Sequence, residues 1–105
     1  MFQVQRLKIK DYSFAVKLAN TMNWNMTPKD FAFNAKLEPN GCFLLLDDSK
    51  RVGVATCISY GDVGWFGNLI VEETQRNKGA GAQLLSHAVD YLKSVGAKTV
   101  GLYAY

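Results

Sequence analysis

The stretch richest in chemistry runs Leu69-Ile70-Val71-Glu72-Glu73-Thr74-Gln75-Arg76-Asn77-Lys78-Gly79-Ala80-Gly81-Ala82-Gln83-Leu84-Leu85. An apolar, strand-like segment enters a polar turn, the turn ends in Gly79-x-Gly81, and an amphipathic helix begins at once. The first turn of a helix carries backbone N–H groups with no internal partner. They sit at the positive end of the helix dipole, so together they suit a phosphate-type anion. Glycine at 79 and 81 removes the side chains that would hold such an anion off the backbone. Amides donating to a charged acceptor contribute about 1.5–3 kcal/mol each. The exposed side chains of Arg76 and Lys78 add ~1 kcal/mol or less. The glycines should therefore be less replaceable than Lys78.

Three phosphate-binding patterns compete for this turn. A P-loop needs GxxxxGK[ST], and the chain has no such string. A dinucleotide turn needs a third glycine where Leu84 stands, and an acidic residue near the end of the next strand, where Leu102, Tyr103 and Ala104 stand. The third pattern is the arginine-containing turn Arg76-x-x-Gly79-x-Gly81.

The elements that must position this turn follow from periodicity. Residues 2–9 carry Val4, Leu7 and Ile9 and read as a strand, the parity change between Val4 and Leu7 suggesting a bulge or bend. Asp11 can cap a helix reaching about Asn23, with Phe14, Leu18 and Met22 on one face. Thr27-Pro28 starts a second helix with Asp30 in its first turn and Phe31, Ala35 and Phe33 as its inner face, closed by Pro39-Asn40-Gly41. Strands follow at Cys42–Asp47, Arg51–Tyr60 and Val63–Val71, separated by polar turns, as an antiparallel meander. Gly79–Val95 reads as a helix with Leu84, Leu85, Ala88, Val89 and Leu92 inward and Gly96 as a left-handed cap. Lys98–Tyr105 is a last strand, parallel to the third meander strand by a right-handed crossover. The fold class expected is α/β (α+β): a mixed, mainly antiparallel sheet flanked by helices.

Composition bounds the rest. With 105 residues, 49% of them hydrophobic and 20% charged, the chain is one folded domain rather than a disordered segment. A net charge of +3 without a dense basic stripe argues against a nucleic-acid partner, and weakly against polycationic substrates. No run approaches the roughly 20 apolar residues of a membrane span, and no signal-peptide core opens the chain. The expected location is cytoplasmic, where Cys42 and Cys57, neighbours in paired strands, are free buried thiols. One histidine and no CxxC spacing argue against a zinc site.

Arg76-Asn77-Lys78-Gly79-Ala80-Gly81 resembles the Q/R-x-x-G-x-G/A signature of the GCN5-related N-acetyltransferases. Trp65–Val71 looks like that family's fourth strand, and Leu84-Leu85 like the apolar face of the helix that follows it. The order strand, two helices, three antiparallel strands, helix, strand is also that family's. Glu73 stands where the family often has proline, and Asn77 where it often has glycine. The resemblance implies an acyl-CoA N-acyltransferase-like fold and transfer of acetyl from acetyl-CoA to a small-molecule or peptide amine by direct attack. The alternative is a coenzyme A-binding module without chemistry. It implies that the backbone of Leu69 and Val71 pairs with the pantetheine arm, while the amides of Arg76, Asn77, Lys78, Gly79, Ala80 and Gly81 hold the pyrophosphate. The family usually continues with another helix and two strands, so the chain reads as a partial domain. Its open last strand would be available to a second copy. The catalytic base is not evident. Asn68 can orient a water but not take a proton, and Glu72 is a candidate. His87 reads as a surface residue of the helix, and Tyr103 or Tyr105 could line the gap between strands. Trp24, between the early helices, reads first as a core or capping residue and second as an acceptor-pocket wall.

Overall fold

The computed structural model describes residues 1–75 and 78–102, and in it five strands form one sheet in sequence order. Strands β1 (Phe2–Arg6), β2 (Cys42–Asp47), β3 (Lys50–Tyr60) and β4 (Val63–Val71) are successively antiparallel, and β5 (Thr99–Leu102) is parallel to β4. Helices α1 (Tyr12–Asn20) and α2 (Pro28–Leu37) fill the connection from β1 to β2, and α3 (Ala80–Ser94) makes the crossover from β4 to β5. This is the mixed, mainly antiparallel α/β architecture that the periodicity implies.

Alternation along the strands divides the core in two. Phe43, Leu45, Ala55, Phe66 and Val71 pack against Ala80, Leu84, Ala88 and Leu92, the i, i+4 stripe of α3. Leu44, Val54 and Ile70 pack on the other face against Ala15, Leu18 and Ala19 of α1 and Phe31 of α2. Each leucine or phenylalanine so buried contributes about 1.5–3 kcal/mol of transfer free energy. With helices on both faces, the parity change in the first strand needs no bulge. Pairing runs without interruption from Phe2↔Asp47 to Arg6↔Phe43. Val4 serves the α3 face and Leu7 the other. The register shifts lie elsewhere, between β2 and β3 at Leu45/Leu46 and between β3 and β4 at Thr56/Cys57.

Four local readings are corrected. The first strand ends at Arg6, and Ile9, 81% exposed, opens a 3-10 turn, Ile9–Asp11. Asp11 does not cap α1 with its side chain. Its buried carboxylate accepts the Lys8 N–H at 2.9 Å and pairs with Arg51 Nε at 2.9 Å. Helix α1 stops at Asn20, three residues early, and the chain then passes through Asn23 and Asn25 at φ of 60° and 51°, a region asparagine tolerates better than most residues. In α2, Thr27 N–H donates to Asp30 Oδ2 at 2.8 Å and Pro28 takes the first helical position, as expected. Phe33, however, is 61% exposed. Two residues from fully buried Phe31, it cannot share that residue's face of a helix.

β3 runs past the start of β2, and the segment after α2 covers the overhang. Gly41 carbonyl accepts the Cys57 N–H at 2.8 Å, and Glu38 Oε1 accepts the Ser59 N–H at 2.9 Å. The other Glu38 oxygen accepts the Tyr91 hydroxyl of α3. Burial first, and then this carboxylate, push the Tyr91 hydroxyl above the ordinary phenol range. Cys42 and Cys57 are buried free thiols. They belong to different halves of the core, and burial raises them to about 11 and about 12. Among the described residues no helix is long and apolar enough to cross a membrane, and no three His, Cys, Asp or Glu side chains are grouped to hold a metal.

Candidate functional site

β4, the turn after it and the start of α3 place the chemistry. The Glu72 N–H still donates to Val52 carbonyl at 2.8 Å, so the ladder holds up to the turn, where Glu73–Gln75 makes a 3-10 turn. Gly79 is the N-cap of α3 at φ +82°, a left-handed conformation that side-chain-bearing residues resist. It brings no capping side chain, and α3 has no side-chain cap among the described residues. The next residue, Ala80, is buried against the sheet. Among the described residues, a Cβ at Gly79 would meet nothing within 4 Å, and one at Gly81 only Val71 Cγ2 at 3.9 Å. Neither glycine is therefore required by packing against the described residues. What their lack of side chain leaves is open room beside the first amides of a 15-residue helix. An anionic group such as a diphosphate fits that surface. Lys78 is exposed beside it, while Arg76 and Asn77 lie outside the described residues.

Leu69 and Val71 direct their side chains into the α3 half of the core, leaving the backbone of β4 as the part of this segment that can serve a ligand. β5 pairs with β4 from Val63↔Thr99 to Phe66↔Leu102 in the described residues. Just past that point β4 carries its bulge. Thr56 pairs with Asn68 and Cys57 with Phe66, so Gly67 is the extra residue. A bulge bends a strand and turns peptide groups out of the ladder. Sequence reading passed over it, although a glycine in mid-strand is its usual signal. Asn68 is buried and donates through Nδ2 to Thr56 Oγ1 at 3.0 Å. That bond holds the amide on the α1–α2 face, next to the bulge.

The structure also opens a cavity of about 500 Å³ between the end of α1 and the turn, lined by Phe14, Lys17, Leu18, Thr21, Met22, Glu72, Glu73 and Thr74. The row Phe14, Leu18, Met22 reads from sequence as a core face. Its far end is open, with Met22 40% exposed, and forms one wall of the cavity. The opposite wall brings in half-buried Glu72. His87 is exposed, its ring edge-on to Phe43 with centroids 4.8 Å apart, and takes no part in the turn. Trp24 is half-buried against the core formed with Leu18 and Phe31. Tyr103 and Tyr105 lie outside the described residues.

Comparison with known proteins adds the following. Residues 6–104 match the model of the acetyltransferase (GNAT) family. The ribosomal-protein-S18-alanine N-acetyltransferase of Escherichia coli superposes with a TM-score of 0.83 at 25% identity, over 97% of this chain and 66% of that one. Ard1 of Thermoplasma volcanium gives 0.85 at 16% identity, over 96% and 70%. Glucosamine-6-phosphate N-acetyltransferase of Arabidopsis thaliana gives 0.75 at 17% identity, over 100% and 83%. The chain spans 36% of the length of a Pyrococcus horikoshii protein of the same fold. No curated protein sequence matches it significantly.

Proposed function

Because this chain belongs to the acetyltransferase (GNAT) family, we propose that it transfers acetyl from acetyl-CoA to an amine by direct attack. The observation that carries this reading is the start of α3. There a left-handed glycine leads the helix, a second glycine leaves open room, and no side chain among the described residues caps the end. In this reading the amides from Arg76 to Gly81 hold the pyrophosphate. The backbone of Leu69 and Val71 pairs with the pantetheine arm in the manner of an added strand. The coenzyme supplies the activated acyl thioester. A peptide N–H of β4 near the Gly67 bulge polarises the acyl carbonyl, a contribution that is large when the donor is held in place beforehand. In this reading Glu72, half-buried in the cavity against α1, takes a proton from the incoming ammonium.

Calorimetry with acetyl-CoA and with desulfo-CoA, followed by thiol release across a panel of amines, tests the reading. Both ligands are expected to bind, and at least one amine to raise thiol release above the uncatalysed rate. Tight binding with no release identifies a coenzyme A-binding module instead. Absence of binding to either ligand overturns both.

A further inference from the structure

We propose that the surface between the Ile9–Asp11 turn and the outer side of α2 docks an acidic polypeptide segment that carries aliphatic side chains among its carboxylates. Two shallow cavities of about 500 and 520 Å³ lie there. Both are lined by Ile9, Tyr12 and Ala35, so they form one continuous trough. Ile9 stands in it 81% exposed, joining the two cavities into a single apolar floor with Tyr12 and Ala35.

The rim is basic. Lys8 and Lys10 flank Ile9 on one side, and Lys29 and Lys36 project from α2 on the other, all four exposed. No aspartate or glutamate lines either cavity. The acidic residues nearest in sequence are engaged elsewhere. Asp11 is buried against Arg51 and the Lys8 N–H, Asp30 accepts from Thr27, and Glu38 is turned to Ser59 and Tyr91. With Arg6, five of the chain's 12 basic residues thus line an apolar floor whose own lining holds no carboxylate. Such a field steers an anionic partner, and the floor rewards one that also buries aliphatic groups. A polypeptide can carry carboxylates and aliphatic side chains together. A phosphodiester backbone carries no aliphatic group for Ile9 to meet. The lining shares no residue with the β4–α3 turn, so this inference is independent of the acyl-transfer reading.

The test titrates the whole chain into a fluorescently labelled peptide of glutamates and leucines, with polyglutamate, a single-stranded oligonucleotide and phosphatidylglycerol vesicles as competing probes. The mixed peptide is expected to bind, more weakly as salt rises. Lys8→Glu, Lys29→Glu and Lys36→Glu combined should weaken it by roughly tenfold or more. Ile9→Ser alone should weaken it while polyglutamate binding is unchanged. Equal binding of polyglutamate and the mixed peptide removes the role of the floor and overturns the proposal. So does tighter binding of the oligonucleotide or the vesicles, or a charge-reversed variant that binds the peptide as well as the parent.

Discussion

Replacing Gly81 by tryptophan separates a glycine kept for a ligand from one kept for the fold. Among the described residues its Cβ would have only Val71 Cγ2 near it, at 3.9 Å, so the side chain would leave the helix without a clash there. Tryptophan is a better helix former than glycine by a few tenths of a kcal/mol, so folding stability should hold or rise slightly. Binding should change far more. An indole beside the first turn of α3 bars a diphosphate from at least two amides, each contributing about 1.5–3 kcal/mol. A loss of about 3–6 kcal/mol is a fall in acetyl-CoA affinity of roughly 10²- to 10⁴-fold. Lys78→Ala, which removes one exposed charge, should cost no more than about fivefold. Calorimetry supplies the affinities, and thermal unfolding followed by circular dichroism supplies the control. Affinity within about threefold of the parent, in a variant that melts normally, would refute the placement of the phosphates and the weight given to backbone over side chain.

Two further outcomes follow from buried groups. Asp11→Asn keeps the shape but removes the charge that meets Arg51 and the Lys8 N–H. Because the Arg51 side chain is 42% exposed and can turn to water, the loss should be about 1–3 kcal/mol in urea unfolding rather than the larger cost of a stranded buried ion. A change within experimental error would mean the pair adds nothing. Burial raises the thiols of Cys42 and Cys57 from 9.0 to about 11 and about 12. The folded state therefore keeps protons that the unfolded chain releases. The stabilisation is complete below about pH 9 and declines as pH climbs toward 11–12, by up to ~1.4 kcal/mol per pH unit for each thiol. Cys57→Val should flatten that decline, and a slope unchanged by the substitution would contradict the assignment.

What could be read before the fold was known depended on how local the cause was. α3 was legible almost to the residue, because its apolar stripe and its two flanking glycines, Gly79 and Gly96, all lie within one stretch of chain. The meander was legible for the same reason. Asp11 was misread because its partner, Arg51, comes 40 residues later, and a capping role was the nearest local explanation. The parity of Val4 and Leu7 was misread because one strand cannot announce that both faces of its sheet are covered. The bulge at Gly67 is signalled in β4 by its mid-strand glycine, but its position is fixed only by the mismatch between β3 and β4. The cavity against α1 and the lysine-rimmed trough are assembled from segments far apart in sequence. No pattern within either segment encodes them.

The contacts made by Glu38 and Gly41 bear on how this protein behaves in concentrated solution. A strand overhang normally offers bare amides, onto which a neighbouring molecule can add its own strand and start aggregation. Here the Cys57 and Ser59 amides are occupied by a carbonyl and a carboxylate rather than by a strand. The overhang has no template to extend. The seal is also narrow in its tolerance, because a Cβ at position 41 would sit 2.5 Å from Glu38 Cγ and 2.6 Å from Cys57 carbonyl oxygen. Any larger residue there displaces the plug and uncovers two adhesive groups at once, converting a solubility device into a nucleation point.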